Sequence, residues 1–141
     1  MRGKAPPKQR SGCPISIALE IFGDSWSLLV VRDLMFKQRR TFNEFLSAEE
    51  NIATNILSER LARLESNEII EKHQDPNDAR RYIYRLTEKG IALAPVLVEM
   101  ILWSAQHETT AAAPDVVAEM TAHKGRFLLR VRQEWARIKL P

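Results

Sequence analysis

One cysteine, three histidines and five glycines are spread over 141 residues, and no acidic side chain precedes Glu20. Each shortage excludes a class of protein. A lone Cys13 cannot build an intrachain disulfide framework and suits a reducing compartment. His73, His107 and His123 are scattered without metal-ligand spacing, and there is neither a glycine-rich phosphate loop nor a nucleophile motif. No metal site, no cofactor and no catalytic residue are therefore expected, and the chain does not read as an enzyme. The most apolar run, Ile91 to Trp103, is short and is interrupted by Pro95 and Glu99, while the basic N-terminus lacks an apolar core of the signal-peptide kind. We expect no membrane partner and a cytoplasmic protein. No internal repeat is present.

What is present is enough apolar material for one core, with 45% hydrophobic and 28% charged residues, and a mildly basic balance of +3. The basic residues are unevenly placed. Arg2, Lys4, Lys8 and Arg10 lie in residues 1–12, whose glycines and prolines predict a flexible basic arm, and Lys37, Arg39 and Arg40 form a second concentration.

Pro14 stands where a first helical residue would, and Ile15, Ala18, Leu19 and Phe22 recur at helical spacing until Gly23. Asp24 or Ser25 can cap the next helix, Trp26 to Phe36, which is apolar on nearly all sides and so belongs in the core. Thr41-Phe42-Asn43-Glu44 has capping-box spacing and predicts a short helix turned inward through Phe42, Phe45 and Leu46. After a turn at Ser47 to Asn51 comes a helix from Asn51 to Asn67. Its inner stripe is predicted as Ala53, Leu57, Leu61 and Leu64; its outer face carries Thr54, Asn55, Ser58, Glu59, Ala62 and Arg63, mostly short enough for close approach to a groove floor.

Two short β-type runs follow, Ile69 to Gln74 and Arg81 to Leu86, joined by Asp75-Pro76-Asn77-Asp78, which is turn chemistry. A hairpin placed directly after a helix-turn-helix makes a winged helix, with Arg80 and Arg81 near the tip. Thr87 is expected to start one long helix through His107, bent at Pro95, whose apolar surplus predicts a subunit interface. A last helical segment, Asp115 to Leu140, sets Phe127, Val131, Trp135 and Ile138 on one stripe, expected to pack on that same interface. The fold class is thus mainly α with a small β-hairpin: a winged helix-turn-helix with N- and C-terminal dimerisation helices.

The ordered set Cys13-Pro14, Trp26 to Leu34, Arg40 to Phe45, Leu57 to Leu61 with Leu64-Glu65, Leu86 to Gly90, and Trp103 with His107 resembles the HxlR family of bacterial winged-helix transcriptional regulators. The wing tip, Asp75 to Arg81, is more similar to that of the MarR family. The resemblance spans about Cys13 to Glu108 and divides the chain into an arm (1–12), a winged-helix domain (13–108) and a C-terminal extension (109–141). It implies a homodimer on a pseudo-palindromic operator in double-stranded DNA, with an interface drawn from the N-terminal and post-wing helices. Ile15, Leu19, Leu97, Ile101 and Trp103 are the candidates there. For DNA contact the candidates are Thr54, Asn55 and Ser58 on bases or phosphates, Arg39, Arg40 and Arg63 on the backbone, and Arg80 and Arg81 on the wing's flank. Some relatives look like sensors of aldehydes, quinones or oxidants through the cysteine matching Cys13, whose place at a helix N-terminus near Arg10 favours a reactive thiolate. A small-molecule effector between the dimer helices is the other candidate switch, and a winged helix serving only as a protein-interaction module is the alternative function.

Overall fold

The computed structural model describes residues 9–140, so the predicted arm lies mostly outside the described residues. Helix α1, Pro14–Phe22, has the proline in its first turn and ends where the Gly23 amide donates to the Leu19 carbonyl at 2.8 Å. Helix α2, Ser27–Phe36, leaves α1 at 80°. Of the two cap candidates Asp24 is the one used: its Oδ2 accepts from the amides of Trp26 and Ser27 at 3.0 Å each. Helix α2 runs through the core with Val30, Val31, Leu34 and Met35 buried.

The capping box forms as spaced. In α3, Phe42–Leu46, the Thr41 hydroxyl accepts from the Glu44 amide and the Glu44 carboxylate accepts from the Thr41 amide, an arrangement worth about 1 kcal/mol. Asn51, at φ 59°, takes the left-handed turn that asparagine tolerates and leads into α4, Thr54–Ser66. Leu57, Leu61 and Leu64 are buried as expected, but Ala53 is exposed: it is the N-cap, with extended backbone, and so falls off the helical stripe. The far end of α4 closes in a Schellman arrangement. The Ile69 amide reaches the Leu64 carbonyl at 2.9 Å and the Glu68 amide the Glu65 carbonyl at 3.0 Å, with Glu68 at φ 63°.

The hairpin is longer than its β-rich runs suggest. Strand β1, Ile70–Asp75, pairs antiparallel with β2, Asp78–Leu86, from Ile70 opposite Leu86 to Gln74 opposite Tyr82, with an irregularity at Gln74/Asp75. Asp75 carries the tip: buried, it accepts from the Asn77 amide at 2.9 Å and from Arg81. Those bonds let strand pairing run to the turn.

The single long helix expected from Thr87 is two. Helix α5, Glu88–Ile91, stops at Ala92, and α6, Ala94–His107, begins with Pro95 in its first turn. A proline has no amide to donate and clashes with the carbonyl four residues back, so the chain breaks before it rather than bending around it. Gly90 seats α5 against the hairpin, since a Cβ there would lie 2.2 Å from the Ile69 carbonyl oxygen. Taken as one stretch, Glu88–His107 is long and apolar enough to cross a bilayer, but Ile91, Ala94, Leu97 and Val98 pack into the core. The C-terminal segment is likewise two helices, α7, Pro114–Ala122, and α8, Lys124–Arg137, parted at His123. Their Met120 and Phe127 close over Val98, with Ile101, Leu102 and Val131 around them. The segment thus covers part of α6 within its own chain.

Candidate nucleic-acid interface

Burial of the leucine stripe fixes which side of α4 looks outward, and Thr54, Asn55, Ser58, Glu59 and Ala62 are all exposed there. The N-cap Ala53 offers no side chain to the first-turn amides, and no acid lies in that turn. The start of α4 therefore combines unsatisfied N–H groups, the positive end of the helix dipole and short polar side chains, all of which suit a phosphate and a groove wall.

The basic candidates divide by what holds them. Arg80 stands at the wing tip, its side chain 94% exposed and its Nε 3.5 Å from Asp78. Arg81 is half-exposed and its Nη2 lies 2.6 Å from Asp75. The Asn77 amide and the Arg81 guanidinium hold the Asp75 carboxyl below its ordinary range. Arg40 sits beside the wing, since its carbonyl accepts from the Tyr84 amide at 2.8 Å, and its guanidinium donates to Gln38. These three form one basic edge.

Arg39 and Arg63, the other two candidates for the DNA backbone, are each paired with an acid of their own chain. Arg39 turns inward to the buried Asp33, Nη1 to Oδ1 at 2.9 Å, because that carboxylate in the core needs compensation. Arg32 supplies the rest at 2.8 Å and is itself held by Glu50 at 2.6 Å. Arg63 leans 3.3 Å from Asp24, with its Nε buried and lacking an acceptor among the described residues.

Sequence reasoning missed Arg60, whose Nε donates to Asp24 at 2.8 Å and ties the recognition helix to the α1–α2 corner. Burial pushes the Asp24 carboxyl up, but the Ser27 hydroxyl, Arg60 and the Trp26 and Ser27 amides together hold it well below the usual carboxylate range. The available signal was position: Arg60 and Arg63 flank the leucine stripe, where long side chains reach neighbouring elements. Lys72, on β1 and 4.5 Å over the Tyr82 ring, is a further exposed cation on the wing.

Helices α1 and α6 expose large apolar side chains. Ile15 and Leu19 on α1 are 71% and 56% exposed, Trp103 on α6 is 63% exposed, and Val96 and Met100 accompany it. Leu97, a candidate for this face, is buried in the core of its own chain, and Ile101 is half-buried against Val98 and Phe127. A cavity of about 250 Å³ opens between α2 and α6, lined by Leu28, Phe36, Leu97, Met100 and Ile101, with Ser104 and Thr110 among the lining. Cys13 is exposed at the N-cap of α1, its amide donating to the Ser11 hydroxyl at 3.2 Å. The nearby Arg10 is engaged by Glu20, backbone N to Oε1 at 3.0 Å. Among the described residues no three potential ligands gather as a metal site.

A tri-helical core, an outward-facing second helix of a helix-turn-helix, and a basic hairpin after it define a winged helix-turn-helix DNA-binding protein. The profile of the HxlR-like helix-turn-helix family matches residues 21–112, and the chain belongs to that family of transcriptional regulators. It is 39% identical over 95 residues to the HTH-type transcriptional regulator YodB of Bacillus subtilis, a match covering 67% of this chain and 84% of that one. The structure of PA1607, a putative transcription factor, superposes with a TM-score of 0.64 at 35% identity, over 75% of this chain and 70% of the other. The redox regulator HypR in its oxidised form superposes at 0.60 with 25% identity, over 70% of this chain and all of HypR.

Proposed function

We propose that this regulator acts as a homodimer on a pseudo-palindromic operator, placing two copies of α4 in successive major grooves about 34 Å apart. The observation that carries this is the α4 face, where Thr54, Asn55 and Ser58 stand exposed at an uncapped helix start. Asn55 reads an adenine edge, Thr54 and Ser58 contact base edges or phosphates, and Arg40, Arg80 and Arg81 hold the flanking backbone. The dimer forms through the apolar face: the Ile15–Leu19 ridge of one protomer meets the α6 face and the α2–α6 cavity of its partner, each protomer offering both ridge and groove. A regulator reading DNA in this way works in the cytoplasm.

Binding of the purified protein to its upstream DNA, titrated over salt, tests this. Replacing Arg80 and Arg81 by alanine should lower affinity and make the log–log salt slope shallower by about 1–2. Unchanged affinity and slope would remove the wing from the interface, and salt-insensitive retention of the wild type would favour a protein-interaction module instead.

A thiol switch is supported by position. Cys13 is exposed two residues before Ile15, so an adduct or a bond to its mate would change how the apolar faces meet. YodB, which resembles this chain, has been solved in reduced, diamide-treated and quinone-bound forms. Operator binding with and without diamide or a quinone, on wild type and Cys13→Ser, separates the outcomes: loss of the response only in the variant supports the switch, and an identical response in both removes it.

A further inference from the structure

The family profile stops at residue 112, and the match to YvaP of Bacillus subtilis uses 91% of that protein but 70% of this chain. What lies beyond builds α7 and α8, and α8 returns to the base of the wing. A two-stranded hairpin is marginal by itself. On one face of β2 the core supports it, with the Tyr84 ring 5.8 Å from Phe45. On the other face stands Arg85, whose acidic neighbour Glu71 is 3.8 Å away.

Helix α8 supplies the missing support. The Trp135 indole N–H donates to the carbonyl of Leu86, the last residue of β2, at 2.8 Å. Arg85 stacks 4.3 Å from the same ring, and donates through Nε to the Ile138 carbonyl at 3.0 Å and through Nη2 to the Trp135 carbonyl at 3.1 Å. Those are carbonyls of the C-terminal end of α8, where the dipole favours a cation and a carbonyl such as that of Trp135, which also accepts from the Ile138 amide at 3.2 Å, keeps a second lone pair, so a wing residue caps the helix that braces it. The other end of α8 is anchored by Phe127 against Val98 of α6.

We propose that α8 is a strut between α6 and the wing, and that Arg85 and Trp135 are positioning residues that set the wing's angle for the DNA contacts of Arg80 and Arg81. The DNA part of this rests on the operator-binding reading above; the strut itself does not.

The test uses the full chain with Trp135→Phe, which keeps an apolar ring but removes the indole donor, and Arg85→Lys, which keeps the charge but removes the planar fork. Amide exchange of the free protein reads the strut: protection in β2 should fall about 5- to 10-fold in each variant while α2 and α4 keep theirs. Operator affinity should drop several-fold, the salt slope should become shallower by about 1, and hydroxyl-radical protection should be lost at the wing flanks and kept at the α4 contacts. Unchanged exchange in β2 overturns the strut, as does a loss of protection spread equally through α2, α4 and β2. If β2 loosens but the wild type fails to bind DNA, the operator reading falls and the strut stands. If β2 loosens and the footprint is unaltered in a wild type that binds, the positioning role falls.

Discussion

Helices α4 and α6 turn the same kind of stripe inward, Leu57, Leu61 and Leu64 in one and Ala94, Leu97 and Val98 in the other. Outward they differ in every respect that matters for a partner. Helix α4 exposes Asn55, Ser58 and Ala62, short or polar groups that let a backbone come near and can pair with hydrogen-bonding edges. Helix α6 exposes Val96, Met100 and Trp103, bulky groups that gain by leaving water. The inner stripe says only that each helix packs; the outer face says against what the rest of the helix is to be set. A similar inward stripe thus leaves a polar outer face on α4 and an apolar one on α6.

The sharpest way to break this contrast is to give α6 the polarity of α4. Trp103→Glu should weaken dimerisation by more than about 100-fold, the scale of a lost aromatic anchor, with thermal unfolding of the monomer little changed because the ring is solvent-exposed. Analytical ultracentrifugation checks it, and an unaltered dimer would place the interface elsewhere. The reciprocal change, Asn55→Leu, should cost about 1–3 kcal/mol of operator binding while leaving urea unfolding within about 0.5 kcal/mol. Equal operator affinity would deny α4 its reading role.

Asp24→Asn loosens the joint that orients α4 on the α1–α2 corner and should cost about 1–2 kcal/mol near neutral pH. Its folded carboxyl lies below the ordinary value, so its contribution is complete above the unfolded pKa of about 3.9 and is lost as pH falls below that. The gap between wild type and variant, read by urea melts, should therefore be widest at pH 5–7 and narrow below pH 4; a gap independent of pH would deny the charge its part. The smallest effect sharpens where α4 ends: Glu68→Gly relieves a left-handed residue and should stabilise by about 0.5 kcal/mol, whereas a loss would mean that the Glu68 side chain matters more than its backbone.

Much of this was legible in residues alone because it is local. The capping box at Thr41–Glu44, the leucine spacing of α4, the turn at Asp75 to Asp78 and the stripe from Phe127 to Trp135 all depend on neighbours within a few positions; Ile138, the last of that expected stripe, is the extended C-cap of α8 and falls off it. The acid partners of Arg39 and Arg63 were not legible, for the converse reason. A basic residue in a turn or on a helix edge looks the same whether it faces solvent or a buried acid, and Asp33 and Asp24 acquire their positions only when α2 packs. Leu97 could not be told from Val96, since adjacent residues on an apolar helix are sorted by which neighbours arrive. Only assembled elements show that Arg60 reaches Asp24 or that Trp135 reaches Leu86, contacts 36 and 49 residues apart.

By itself the sequence determined the class of protein: the period of its apolar residues, its caps and its turn residues encode a helix-turn-helix followed by a hairpin, since those signals act through the backbone nearby. Tertiary structure decided which cations are held by buried acids, which apolar residues stay exposed, and that the C-terminal helix α8 returns to the base of the wing. A charge or an apolar side chain is committed by what packs against it, and that is settled only when distant elements meet.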